Sequence, residues 1–132
     1  MLTKEQILTA QDLEYRDEKI PEWPDENGKP GIVRVWEITA EDKDAFEESI
    51  SILKQVGKKM KAEINRQNYR AKLVARCLGD ENGNRLFSEK EVIRLGRKSA
   101  KVIDRLFKIC QELNGMGEDQ EEDFLLDSDK EE

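Results

Sequence analysis

The sequence predicts a mainly α-helical fold, a small helical domain over 1–115 with one β-hairpin near the N-terminus (about 19–38) and a disordered acidic tail over 116–132. Three observations predict it. From Phe87 to Gly115 a start signal, an apolar period and a stop signal agree, which marks a core helix. Only 36% of the 132 residues are hydrophobic while 40% are charged, a lean balance that helices tolerate best. Two β-rich runs, Ile20-Pro21-Glu22-Trp23 and Ile32 to Ile38, flank the turn formers PDENGKPG, the pattern of a hairpin.

In chain order, Thr3 and Gln6 form a capping-box pattern ahead of Ile7 and Leu8 and predict a short helix from residue 4 to about 10. Asp12 to Lys19 is polar and acidic. In the second strand of the hairpin Ile32, Arg34, Trp36 and Ile38 share one face, and Val33 and Val35 the other. Trp23 and Trp36 are expected to meet in or near the hairpin. Thr39 opens another helix, with Glu41, Asp42 and Asp44 at its positive end. Phe46, Ile50 and Leu53 keep its beat, and Gly57 with Lys58, Lys59 and Lys61 weakens it, so a break near Val56 is expected, with continuation to Ile64 as the other option. A buried face resumes through Leu73, Val74, Cys77 and Leu78, up to the turn at Gly79 to Asn84. Ser88 and Glu91 then cap the core helix behind Phe87, which sits where a hydrophobic staple belongs. Gly96 divides this segment into a short and a long helix. Ala100, Ile103, Leu106, Phe107, Cys110 and Leu113 make the buried stripe, and Asn114-Gly115 ends it. No internal repeat stands out.

Composition excludes several function classes. There is no histidine, and Cys77 and Cys110 are the only cysteines, which removes the common zinc sets and histidine bases. Both sit among apolar residues and read as small buried hydrophobes, with a disulfide the lesser option in a reducing compartment. No run is long enough to span a bilayer and no signal-peptide pattern opens the chain. Asp80, Asn82, Asn84, Leu86, Ser88 and Glu91 match the spacing of a calcium loop, but Arg85 stands where the sharp turn needs glycine, so a plain Asn-Gly turn is the better account. No catalytic, metal or cofactor site is expected. The net charge of −7 is segregated: Met1 to Leu53 carries 6 basic and 14 acidic residues, Lys54 to Lys108 carries 16 and 6, and Ile109 to Glu132 carries 1 and 10. The basic middle either is screened by the acidic ends, within one molecule or between copies, or forms a binding surface.

The candidate partner-binding residues are Trp23, Trp36, Val33 and Val35 of the hairpin, and Phe124, Leu125 and Leu126, the one apolar cluster of the acidic tail. Core packing is the competing account of the tryptophans, and an inert remnant that of the tail triplet. Two strands cannot stand alone in water, so the hairpin must lie on a helix or pair with another edge, and self-association is expected.

Taken in order, MLTKEQIL, the hairpin IPEW and VRVWEIT, the helix start EDKDAFE, the run NYRAKLVARCLGDENGNRLF and the closing SEKEVIRLGRKSAKVIDRLFKICQELNG resemble the tail assembly chaperones of long-tailed, siphovirus-type bacteriophages. The likeness covers most of 1–115; RAKLVARCL, the acidic Asn-Gly turn, RLF and the final helix are its most specific part. It implies a non-catalytic assembly factor of the host cytoplasm, absent from the mature virion, that binds the tape measure protein and helps recruit tail tube subunits. It also implies a longer form made by a backward ribosomal slip near the gene's end, and Asp123-Phe124-Leu125 can be encoded with a uridine run of the kind that permits one. The family has no catalytic residues to carry over. The alternative is a nucleic-acid-associated regulator using Lys58, Lys59, Arg66, Arg70 and Arg97, although helical periodicity spreads these cations over several faces and no recognition motif accompanies them.

Overall fold

The computed structural model describes residues 1–117. Thr3 caps α1 (Lys4–Thr9) as its capping box predicts: the Gln6 amide donates to Thr3 Oγ1 at 3.2 Å, and the Thr3 amide to Gln6 Oε1 at 2.9 Å. β1 (Tyr15–Pro24) and β2 (Pro30–Trp36) pair antiparallel, from Tyr15 opposite Trp36 to Ile20 opposite Gly31. β5 (Leu78–Gly79), which leaves α3 (Tyr69–Cys77) directly, adds to the other edge of β2, giving the order β1-β2-β5.

α3 and α5 (Ala100–Leu113) pack on each other and α5 lies against β1 and β2. Ile20 and Val35 from the sheet, Leu73 and Val74 from α3, and Val102 and Leu106 from α5 lose all contact with solvent. The predicted stripe on α5 is buried at Ile103, Leu106, Phe107 and Cys110; Val102 and Ile109 widen it, and Ala100 is exposed. The split at Gly96 is also present. Ser88 donates from its amide to Glu91 Oε1 at 3.0 Å and opens a 3-10 turn (Glu89–Glu91), then α4 (Val92–Leu95), ahead of α5. At the far end the Gly115 amide donates to the Glu112 carbonyl and the Met116 amide to that of Gln111, so the two last bonds close the helix. Met116 packs on the core. The rest of the expected disordered tail, 118–132, lies outside the described residues.

The fold class expected from the sequence is wrong. The described residues are mixed α/β, 39% helical and 27% strand, with two antiparallel sheets. Most of the difference lies in one segment. α2 (Ala40–Ser49) breaks earlier than Val56, and β3 (Ser51–Val56) and β4 (Lys59–Ile64) form a second hairpin where Leu53 was expected to continue the helix. The strand signal is present in Lys59-Met60-Lys61-Ala62-Glu63-Ile64, which alternates charged and apolar residues. Gly57, at φ +66°, makes with Lys58 the two-residue turn that this hairpin requires. β1 is also longer than expected, because backbone pairing to β2 carries the polar run Tyr15 to Lys19 into the sheet.

Candidate functional site

β2 faces the core with Val33 and Val35, two residues apart and so on one face of the strand. Val35 is fully buried, Val33 is half-buried against the core, and the outward residue of the strand is Ile32, 64% exposed. Trp23 and Trp36 do not meet. Their positions fall at opposite ends of the β1–β2 ladder, and Trp36 instead packs on Tyr15, with ring centroids 4.8 Å apart.

Trp36 also seals the turn after β5. Its Nε1 donates to the Asp80 carbonyl at 3.0 Å. A Cβ on Gly79 would stand 2.7 Å from Trp36 Cδ1, so a hydrogen is all the ring leaves room for. Inside that turn the Asp80 carboxylate accepts the amides of Asn82 at 2.8 Å and Asn84 at 2.9 Å, and the Asn84 amide first, with that of Asn82, holds the carboxyl below its usual range. Both carboxylate oxygens of Asp80, which stands at the first position of the calcium-loop spacing, are engaged by the loop's own donors. The same tetrapeptide, Asp-Glu-Asn-Gly, closes β1–β2 at 25–28, where Asp25 accepts the amides of Asn27 and Lys29. This local repetition went unseen because four residues carry no period.

Trp23 is half-buried beside a cavity of about 340 Å³ lined by Phe87, Glu91, Arg94, Leu95 and Lys98. A second cavity, of about 530 Å³, lies between Trp36, Asp42, Arg76 and Arg85. Arg76 bridges Asp42 at 3.1 Å and Glu89 at 2.7 Å with its side chain only 8% exposed, a tie between α2 and the turn before α4 that its sequence context does not announce.

The cations of the nucleic-acid alternative are dispersed. Lys58 and Lys59 sit at the tip of β3–β4, Arg70 on α3 pairs with Asp104 at 2.8 Å, and Arg97 lies between α4 and α5; Arg66 stacks on Tyr69 at the root of the hairpin. Cys77 and Cys110 are free and buried in the core, as expected; burial first, then the neighbouring Cys77, pushes the Cys110 thiol far up. Among the described residues no group of three acidic or cysteine side chains is placed to hold a metal ion, and no helix is long and apolar enough to cross a membrane.

Two elements instead expose apolar side chains. α1 buries nothing: Leu2, Ile7 and Leu8 are 72%, 57% and 71% exposed. β3–β4 exposes Leu53, Val56 and Met60. Neither was singled out from the sequence, where Ile7 and Leu53 look like ordinary core positions of helices. Phe124, Leu125 and Leu126 lie outside the described residues.

A family model described as phage tail assembly chaperone matches residues 3–124. Among solved structures, that of the bacteriophage HK97 tail assembly chaperone is similar at a TM-score of 0.56 and 18% identity, over 86% of this chain and 95% of that one, a likeness of fold. No curated protein matches.

Proposed function

The chain belongs to the phage tail assembly chaperone family, and on that premise we propose that it binds the tape measure protein in the host cytoplasm, associates with further copies of itself and helps recruit tail tube subunits, without entering the virion. The observation that carries the proposal is the uncovered apolar surface of α1. Leu2, Ile7 and Leu8 lie on an arm whose helix is too short to persist by itself, and the described core does not need them. Such an arm gains order on a partner and gives the weak, repeatable contact that a long client demands. Trp23 and its cavity beside Phe87 supply a second apolar foothold on the rigid body. Self-association would use the same exposed side chains. Catalysis has no place in this reading.

Recruitment of tube subunits by a longer, frameshifted form remains part of the proposal, and a slippery heptamer over the codons of Asp123-Phe124-Leu125 is its requirement; a gene without one removes that step. The main test is co-expression with the tape measure protein of the same phage, followed by size-exclusion chromatography with light scattering. A soluble complex holding several copies of this chain, lost on Ile7→Asp with Leu8→Asp, is expected. A client that elutes apart, with its solubility unchanged by this chain, would sink the reading.

A further inference from the structure

The β3–β4 hairpin is incomplete as described. Among the described residues its strands pair with each other and with no third strand, and its root is tied to the body through Ile64 and through the Asn65 amide, which donates to the Ile50 carbonyl at 2.6 Å. Two strands alone are marginal in water. The register sorts the side chains onto two faces. Leu53 stands opposite Ala62, and Gln55 opposite Met60, on one face; Lys54 opposite Lys61, and Val56 opposite Lys59, on the other. One face is therefore largely apolar and the other basic, with Leu53 69% and Met60 48% exposed. Glu63 pairs with Lys54 at 2.9 Å, which leaves Lys58, Lys59 and Lys61 without a carboxylate among the described residues.

The chain carries the complement of this surface in its last 15 residues. Residues 118–132 hold nine acidic residues against Lys130, and in their midst Phe124, Leu125 and Leu126. At a two-residue period Phe124 and Leu126 fall on one side, while Glu121, Asp123, Asp127 and Asp129 fall on the other with Leu125. Laid along an open edge of the hairpin, this segment would set its apolar side beside Leu53 and Met60 and its carboxylates beside Lys59 and Lys61. The distance is within reach. Tyr69, just past the root of the hairpin, packs on Phe107 of α5 with ring centroids 5.4 Å apart, and the helix from Phe107 to Leu113 is about 9 Å long. The hairpin is about 20 Å from root to tip, whereas fifteen extended residues span up to about 50 Å.

We propose that residues 118–132 dock in cis on the β3–β4 hairpin of their own chain, Phe124 and Leu126 on its apolar face and the flanking acids on its lysines. The tail is thereby the cover that the hairpin lacks.

Hydrogen exchange of the full chain tests this. Amides of 51–64 should exchange about tenfold or more faster in the triple variant Phe124→Ser, Leu125→Ser, Leu126→Ser and in Lys58→Glu with Lys59→Glu, with α5 unchanged. Adding Glu121→Lys and Asp123→Lys to the lysine variant should restore much of the protection. Protection should not vary with protein concentration; a decrease on dilution would assign the site to a second copy and overturn the cis arrangement. Equal exchange in wild type and the triple variant would overturn docking altogether. If a variant also loses protection in α5, the wild-type chain decides by zero-length carbodiimide cross-linking: links within monomers from Lys58, Lys59 or Lys61 to tail carboxylates support docking, and their absence refutes it.

Discussion

The two hairpins of this protein are built by the same local rules and owe their stability to different things. β1–β2 turns on an Asp-Glu-Asn-Gly tetrapeptide, gains β5 as a third strand, and places Ile20 and Val35 under α5. Ion pairs reinforce the seam, from Glu22 to Arg105 and from Arg16 to Glu112, both on α5. β3–β4 has a good turn, a continuous ladder and alternating side chains, but among the described residues only its root, at Ile64, packs on the core, and Leu53, Val56 and Met60 stay exposed. A sheet is stabilised by what covers it more than by its own strand propensity.

The sharpest way to break the comparison is a buried charge. Val35→Asp places a carboxylate without a partner beneath α5 and should cost more than about 4 kcal/mol, enough to unfold a domain of this size, whereas Leu53→Asp should move stability by less than about 1 kcal/mol. Urea unfolding followed by circular dichroism measures both, and equal losses would mean that β3–β4 is part of the cooperative core. Next in size, Arg76→Met removes a nearly buried guanidinium shared by Asp42 and Glu89. Both carboxylates keep partial access to water, so the expected loss is about 1–3 kcal/mol, visible as a lower urea midpoint. Gly79→Ala should cost a similar amount, about 1–3 kcal/mol, by pushing Trp36 off the turn, and a blue-shifted or unshifted Trp36 emission spectrum would argue that the ring had not been freed.

A smaller effect is tied to pH. The hydrogen bonds and charge of Arg34 hold the Asp17 carboxyl below its usual range, and those of Arg105 do the same for Glu22, both within or beside β1–β2. A carboxyl whose folded pKa is depressed stabilises the fold above its unfolded pKa and loses that contribution as pH falls through the folded one. Thermal stability should therefore drop below about pH 4, and Asp17→Asn with Glu22→Gln should flatten that drop. Exposure of these groups keeps the effect modest. The smallest change expected is in α1, where Ile7→Ser should leave stability within about 0.5 kcal/mol while weakening client capture, a separation that would distinguish a binding arm from a structural one.

Where a signal is local, the sequence carried it. The capping boxes at Thr3 and Ser88, the break at Gly96, the stop at Asn114-Gly115 and the stripe on α5 were legible because each is decided within a few residues by hydrogen bonds or helical period. The resemblance that led to the family also rested on contiguous segments. The fold class was misjudged because Ile50 and Leu53 continue a helical beat that the alternation of Lys59 to Ile64 contradicts, and pairing partners choose between them. Of the candidate site residues, Trp23, Val33, Val35 and Trp36 were placed on the right hairpin, but burial divided them, taking Val35 into the core and turning Trp36 to the Asp80 turn.

Composition and periodicity by themselves determined that this chain has a single lean core around α5, acidic ends and a basic middle, and no histidine chemistry. Tertiary structure decided the rest. It set β5 against β2, buried Arg76 between Asp42 and Glu89, and left α1 and β3–β4 outside the core. The reason is that helix caps and stripes are contacts between near neighbours, whereas covering a strand, or leaving it open, depends on residues brought together from far along the chain.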